Sequence, residues 1–483
     1  MRVALVNPGN DLRKMFGMYA AAMTPVVPQG LCYVASSLER AGHTVRIDDQ
    51  YATHEPVDAL ARRLVLWGAR VVGVSVLTPA ARWAENLSVA LRQLDPGIFI
   101  IWGNIHARVF CDDVLNLGFA DAVGHFEGEL TTVDLVAALG EGRELHGVKG
   151  ISWRDRHGDL HHNPARELVE DLDTLPYPAY HLLDIPRYIA PPMLSFMEPI
   201  LAVQASRGCP FTCHYCTQEN LPKGIRTRTM ESVVDEIEYY HRRFQVKAVG
   251  FMDANFPYRK EQALEFAELF MKRGLHKKIF WITETRVDLI DDETMKALRA
   301  AGLRLIMYGF ESGTQAMLDS YNKRVKLDSA MTAMQVAKRH GVAVLGLFML
   351  GMPGETPESA RETVAFAKKL DPDFAKFNLA VPYPGSEFFE RWRGEHPGPL
   401  EWEKFSSWLD RSAAGELLYV PQTMTGEELM TIRDEGMRSF YLRPWFIARH
   451  IAKGTMQAPS VSRALGIFVV GRAREAARRR MGV

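Results

Sequence analysis

Short apolar, β-rich runs alternate with helix-period segments along most of this chain, and that alternation restricts the fold more than any other feature. In the first third, runs at Val3–Asn7, Thr44–Asp48, Val71–Val76, Phe99–Trp102 and Ala122–Gly124 are separated by helical patterns at Leu31–Ala41, Val57–Trp67 and Trp83–Leu94. An α/β chain is the result, with a doubly wound, Rossmann-like parallel sheet predicted over residues 1–150. Ligands of such sheets lie over the carboxyl ends of the strands, which points to the loops Asn7–Asn10, Ser75–Thr78, Gly103–His106 and Gly124–Glu129. Residues 151–195 read as a connecting segment, with a hairpin at Ile151–Leu160 and a proline-punctuated stretch at Leu172–Tyr180. Its tyrosines and Met193 read mainly as packing. Alternation resumes at Leu201–Ala205, Ala248–Met252, Phe280–Thr283, Leu305–Tyr308, Val344–Met349 and Lys376–Leu379. Six strand–helix units over 196–394 predict a partial (β/α)6 barrel of the TIM type, with its chemistry at the carboxyl ends. Residues 395–483 read as a helical C-terminal region that includes Trp402, Trp408 and Phe440–Pro444.

One loop concentrates the chemistry. Ser206-Arg-Gly-Cys-Pro-Phe-Thr-Cys-His-Tyr-Cys-Thr217 follows the apolar run Ile200–Val203 and spaces Cys209, Cys213 and Cys216 as C-x3-C-x2-C. Thiolate sulfur suits cluster iron, and a compact loop brings three sulfurs to one site without long-range chain closure. Three thiolates serve three irons of a four-iron cube and leave the fourth open. The chain has five cysteines, an odd count, and no secretory signal, so disulfide use is not expected. Zinc is the alternative occupant, with His214 inside the loop as a fourth ligand.

The spacing, with Tyr215 ahead of its last cysteine, resembles the radical S-adenosylmethionine (SAM) superfamily. The resemblance implies a 4Fe–4S cluster on Cys209, Cys213 and Cys216, whose open iron chelates the amino and carboxylate groups of SAM. One-electron reduction, from a donor such as flavodoxin or ferredoxin, then cleaves SAM to a 5′-deoxyadenosyl radical. By the same resemblance, Asp253 and Asn255 after the second barrel strand contact the SAM amino group, and Arg286 after the third pairs with its carboxylate. Asp253 reads equally as a turn or capping residue, and Arg286 as a partner of Glu284. Gly309-Phe-Glu-Ser-Gly313 matches a family turn that sets Glu311 and Ser312 against SAM. Leu350–Thr356 matches one that brings Gly351 to the adenine side, or serves as a Pro-Gly turn into the next helix. Pro382–Ser386 matches a further family stretch.

Residues 1–150 resemble the cobalamin-binding domain that precedes many radical SAM domains, through Val27–His43, Gly103–His106 and Gly128-Glu129. The cobalamin contacts implied are Ser75, Gly103, Gly128 and Glu129. Relatives carry Gly-Gly-x-His where this chain has Gly103-Asn-Ile-His106. No D-x-H-x-x-G motif occurs in the first 150 residues, so the resemblance implies base-off cobalamin without a protein histidine as lower ligand. His106 and His125 read as polar filler. A G-x-G-x-x-G fingerprint is missing after the first strand, which removes the nicotinamide reading. The alternative is a nucleotide-like fold without its cofactor.

Lysine plus arginine and aspartate plus glutamate both number 58, so net charge draws the chain neither to nucleic acid nor to anionic lipid. No run approaches the roughly 18 apolar residues of a membrane span. A cytoplasmic enzyme is expected. The segment Arg463–Arg480 joins an apolar run to clustered arginines and reads either as a helix packed on the body or as a membrane-surface contact. The resemblance implies a methyltransferase that builds a methyl group from methylcobalamin onto an unactivated carbon. Lipids, tetrapyrroles and natural-product intermediates are its substrate classes. Alternatives are an oxidative cyclase of the anaerobic magnesium-protoporphyrin ester type and a cobalamin or redox sensor without turnover.

Overall fold

The computed structural model describes residues 1–9, 25–188, 199–217, 224–407 and 417–452. Met193, Trp408 and the segment 463–480 lie outside the described residues. Two sheets organise the molecule. The first has seven strands in the order β2-β1-β3-β4-β5-β6-β7. They are β1 (Arg2–Asn7), β2 (Thr44–Asp49), β3 (Val71–Ser75), β4 (Phe99–Gly103), β5 (Ala122–Gly124), β6 (Ile151–Arg154) and β7 (Leu160–His162). Neighbours from β2 to β5 run parallel, and β6 and β7 pair antiparallel at the end. The hairpin of the connecting segment thus continues the first sheet, because β6 finds its partner in β5.

Strands buried on both faces need apolar residues at every position, and β1 supplies them in Val3–Val6. Val3 and Leu5 face one core, Ala4 and Val6 the other. The strand order reverses at β1 and β3, with β2 laid down on one side and β4 on the other, which makes their carboxyl ends the crevice where ligands of such sheets lie.

The second sheet is β8 (Ile200–Val203), β11 (Ala248–Phe251), β12 (Phe280–Thr285), β13 (Leu303–Glu311), β14 (Ala343–Leu350) and β15 (Phe374–Leu379), all parallel in that order. Among the described residues β8 and β15 do not pair with each other, so the barrel stays open. Its outer face is sealed by helices, and Phe251, Phe256, Phe266 and Trp281 form one buried aromatic cluster beneath them. Each such ring contributes about 1.5–3 kcal/mol by leaving water. The inner face alternates in exposure along β12, β14 and β15, as expected for a trough. Its floor is apolar, with Ile200, Phe280, Ile282, Met307, Leu345 and Phe374 in contact. A small antiparallel pair, β9 (Ser206–Arg207) and β10 (Arg226–Thr227), brackets the cysteine loop.

The halves are joined by polar contacts at buried positions. Tyr180 donates its hydroxyl to the Ala202 carbonyl at 3.0 Å, and Trp402 donates Nε1–H to Glu85 at 3.1 Å. Arg207 reaches Glu127 at 3.0 Å and Glu129 at 2.6 Å, while Arg226 reaches Glu127 at 2.8 Å.

Close packing behind the fourth strand generates a test. A Cβ on Gly313 would lie 2.7 Å from Phe366 Cβ and 2.8 Å from the Glu362 carbonyl, on the helix Pro357–Leu370. Gly313→Ala is expected to destabilise by about 1–3 kcal/mol through overpacking, read as a lower Tm.

Candidate functional site

The cysteine loop leaves β9 and is held from several sides. Asp253, just past β11, accepts from the Ala205 N–H at 3.0 Å and from the Ser206 hydroxyl at 2.5 Å. Burial pushes its carboxyl from 3.8 up to about 7, opposed by those hydrogen bonds. The Arg286 guanidinium lies 3.7 Å from the centre of the Phe211 ring, inside the loop. Nε and Nη2 of Arg286 grip both Asp288 oxygens at 3.0 Å, and Nη1 donates to the Lys323 carbonyl at 2.9 Å. Asn322 donates to the Thr212 carbonyl at 2.7 Å. Each contact fixes the loop from a different barrel element.

Cys209, Cys213 and Cys216 take part in no disulfide among the described residues, Cys213 being buried and the others half-buried. Burial pushes the Cys213 thiol up, and the charges of Lys323 and Arg286 oppose the push. Lys323 donates to Glu311 at 2.9 Å and to the Tyr215 hydroxyl at 3.2 Å, while Tyr215 donates to Glu311 at 3.1 Å. Burial works against the Lys323 ammonium, but Glu311 and Cys213 outweigh it and raise its pKa. A buried cation beside thiolates suits an anionic cluster. His214 points its Nε2 at Glu387, 3.4 Å away, which engages one of the two ring nitrogens that could complete a zinc site. Three thiols beside the buried Lys323 cation fit an iron–sulfur cluster.

Glu311 adopts a left-handed backbone, φ 61°, where the β13–β14 register shifts. Gly309 permits the carboxylate to fold back, since a Cβ there would lie 2.5 Å from Glu311 Oε1. Several sequence expectations change at this level. The Ser312 hydroxyl does not face the trough; it is fully buried, accepts from Thr314 N–H at 3.2 Å and lies 3.2 Å from Thr363 Oγ1. Arg286 pairs with Asp288 rather than Glu284, and its other donors are spent on carbonyls. Gly351, φ 88°, donates its N–H to Glu355, and a Cβ there would strike Leu429 at 2.7 Å, so close packing requires a glycine at this position. Asn255 donates Nδ2–H to Cys209 Sγ at 3.6 Å. Asp253 braces the loop entry, as the turn reading allowed.

In the first sheet, Ser75 accepts from Asn104 Nδ2 at 3.0 Å, and the Gly103 Cα faces open space. Gly128 lets its helix close on Val34, which a Cβ would approach to 3.1 Å. Glu129 is buried against Arg207, so its carboxylate joins the two halves instead of facing a ligand. Burial takes the His106 imidazole down to about 3, and its ring packs on Phe110 and Trp402. His125 meets the Ser152 hydroxyl at 2.8 Å. A cleft of about 420 Å³ lies between the halves, lined by Arg108, Val109, His125 and Phe126 from one and Gly385 and Glu390 from the other.

Sequence reasoning missed Lys323, Asn322 and Arg207 as site-forming residues. Arg207 stood beside the cysteines, but its glutamate partners lie about eighty residues earlier. No local signal marked Lys323.

Comparisons with known proteins bear on the family and the fold. The Radical SAM superfamily model matches residues 203–367, and the B12 binding domain model matches residues 18–136. An uncharacterized methyltransferase of Pyrococcus horikoshii is 29% identical over 456 residues, covering 93% of this chain and 95% of the relative. The anaerobic magnesium-protoporphyrin IX monomethyl ester cyclase of Rubrivivax gelatinosus is 30% identical over 386 residues, covering 78% of this chain and 68% of the relative. The radical SAM methyltransferase TsrM of Kitasatospora setae, solved with cobalamin and a 4Fe–4S cluster, superposes with TM-score 0.68 at 17% identity. That superposition covers 96% of this chain and 90% of TsrM, and the likeness is one of fold.

The buried Asp253 carboxyl generates a pH test. It holds its proton more tightly folded than unfolded, so its contribution favours the folded state at low pH and is lost as pH rises from 3.8 towards about 7. Asp253→Asn does not titrate there. Thermal unfolding of cluster-free protein is expected to lose stability between about pH 5 and pH 7 in the wild type, by on the order of 3 kcal/mol more than in the variant. Glu355, which burial also raises to about 7, leaves a slope common to both.

Proposed function

This chain belongs to the radical SAM enzymes that carry a B12-binding domain, and from that premise we propose that it methylates an sp3 carbon of a small molecule. The observation that carries the reading is the junction of Arg207, two residues before Cys209, with Glu127 and Glu129, which holds the loop after β5 of the first sheet against the cysteine loop. When bound, the cluster supplies the electron that cleaves SAM, and cobalamin supplies the methyl group.

Cys209, Cys213 and Cys216 would hold the cluster. Glu311, Lys323 and Tyr215 keep the loop in one conformation beside it. Asp253 and Arg286 support SAM binding indirectly, by fixing the loop entry and Phe211. Ser75, Gly103 and the backbone at Gly128 are proposed to border cobalamin. Base-off binding without a protein histidine is supported by the engagement of His106 and His125 elsewhere. For substrate, the trough offers an apolar floor with Glu284 and Lys376 above it. Burial raises the Glu284 carboxyl and lowers the Lys376 ammonium, and each opposes the shift of the other. Apolar rings and chains with a few polar groups suit such a surface, as in lipids, tetrapyrroles and natural-product intermediates. A low-potential one-electron donor such as flavodoxin or ferredoxin completes the partners, and the balanced charge argues against nucleic acid. No helix among the described residues is long and apolar enough to cross a membrane. The proposed C-terminal surface contact lies outside them.

A second reading, oxidative ring closure, is favoured by the identity to the Rubrivivax gelatinosus cyclase. Product mass separates the two, since only methylation adds a carbon. Anaerobic, cluster-loaded protein given hydroxocobalamin, SAM and a strong reductant is expected to form 5′-deoxyadenosine and to retain corrinoid. Cys213→Ala is expected to abolish the deoxyadenosine. Corrinoid that washes off while deoxyadenosine still forms overturns methyl transfer.

A further inference from the structure

Asn255 was expected on SAM, yet its amide is turned to the first cysteine. Nδ2 stands 3.6 Å from Cys209 Sγ, within reach of an N–H···S hydrogen bond. The side chain is 7% exposed, so water competes little for the donor. The backbone that carries it is fixed on both sides. Asp253, two residues earlier, is bound to Ala205 and Ser206. Phe256, the next residue, stacks on Phe251 with ring centroids 3.8 Å apart. The Phe256 N–H donates to the Glu284 carbonyl at 3.0 Å, and its own carbonyl accepts from Thr283 Oγ1 at 2.8 Å. The donor is thus carried on a segment held in place beside the sulfur.

We infer that Asn255 is a positioning residue that sets the reduction potential of the cluster through its hydrogen bond to the Cys209 thiolate. The inference rests on the three-cysteine site holding a 4Fe–4S cluster. One-electron reduction makes that cluster more negative and places part of the added charge on its sulfur ligands. A hydrogen-bond donor at a ligand sulfur therefore stabilises the reduced form more than the oxidised form and raises the potential. The electron comes from the low-potential donor class named above and leaves to SAM when its carbon–sulfur bond breaks, so no further reactant is needed. Asn255 thus helps bring the cluster within reach of a biological reductant.

Two variants test this. Asn255→Leu keeps the size of the side chain and removes the N–H; Asn255→Asp places a carboxylate there instead. Iron and sulfide are counted on anaerobically reconstituted protein, and the midpoint potential is read by EPR-monitored titration without SAM. Both variants are expected to keep a full cluster and titrate at more negative potential than wild type, Asn255→Asp furthest. Deoxyadenosine formation should then fall with flavodoxin as donor and persist with a stronger chemical reductant. Full clusters with unmoved potentials overturn the inference alone, as does loss of iron from both variants, which makes Asn255 a residue of assembly. Wild-type protein that assembles no four-iron cluster overturns the cofactor reading and this inference with it.

Discussion

Arg207, two residues before Cys209, donates at once to Glu127 and Glu129 at the start of a helix from the other half of the molecule. Burial works against its charge, and the two carboxylates more than compensate. A buried ion pair is worth little against an apolar substitute but costs about 3–5 kcal/mol when one partner is removed, so its value here lies in fixing position. Both the cleft and the mouth of the trough depend on that position. Their walls come from separate sheets, and a small rotation between the sheets would change the distance from the cysteines to the first sheet's loops.

Around the cysteines the same logic recurs at shorter range. The loop has little regular structure of its own, and each turn is fixed by a side chain from a different strand end: Asp253 after β11, Arg286 after β12, Glu311 at the end of β13. A parallel barrel delivers these groups to one rim because all its strands point the same way. Rigidity is thereby imported from the sheet into a segment that local propensity alone would leave mobile.

Local features were legible in the sequence, and distant partnerships were not. The three thiols are close in the chain, so their common site could be read from spacing alone. The strands of both sheets followed from apolar runs and period. Side-chain direction did not: Ser312 is turned inward by Thr363, fifty-one residues on, and Glu129 by Arg207, seventy-eight residues on. The hairpin at Ile151–Leu160 was readable as a hairpin, but its place in the first sheet depended on β5 offering a free edge. His106 was read as polar filler because a lone loop histidine is more often structural than ligating; its buried ring packs on Phe110 and Trp402 through contacts the sequence did not show.

The depth of the Arg207 and Arg226 pairs also decides how the molecule responds to ionic strength. Dissolved ions screen exposed charges over about 10 Å at 0.1 M salt but act weakly on partners withdrawn from solvent. Surface pairs such as Arg187–Asp184, both half open to water, weaken as salt is added. The guanidinium–glutamate junction, with Glu129 only 5% exposed, weakens far less. The width of the cleft is therefore insulated from the salt content of its surroundings.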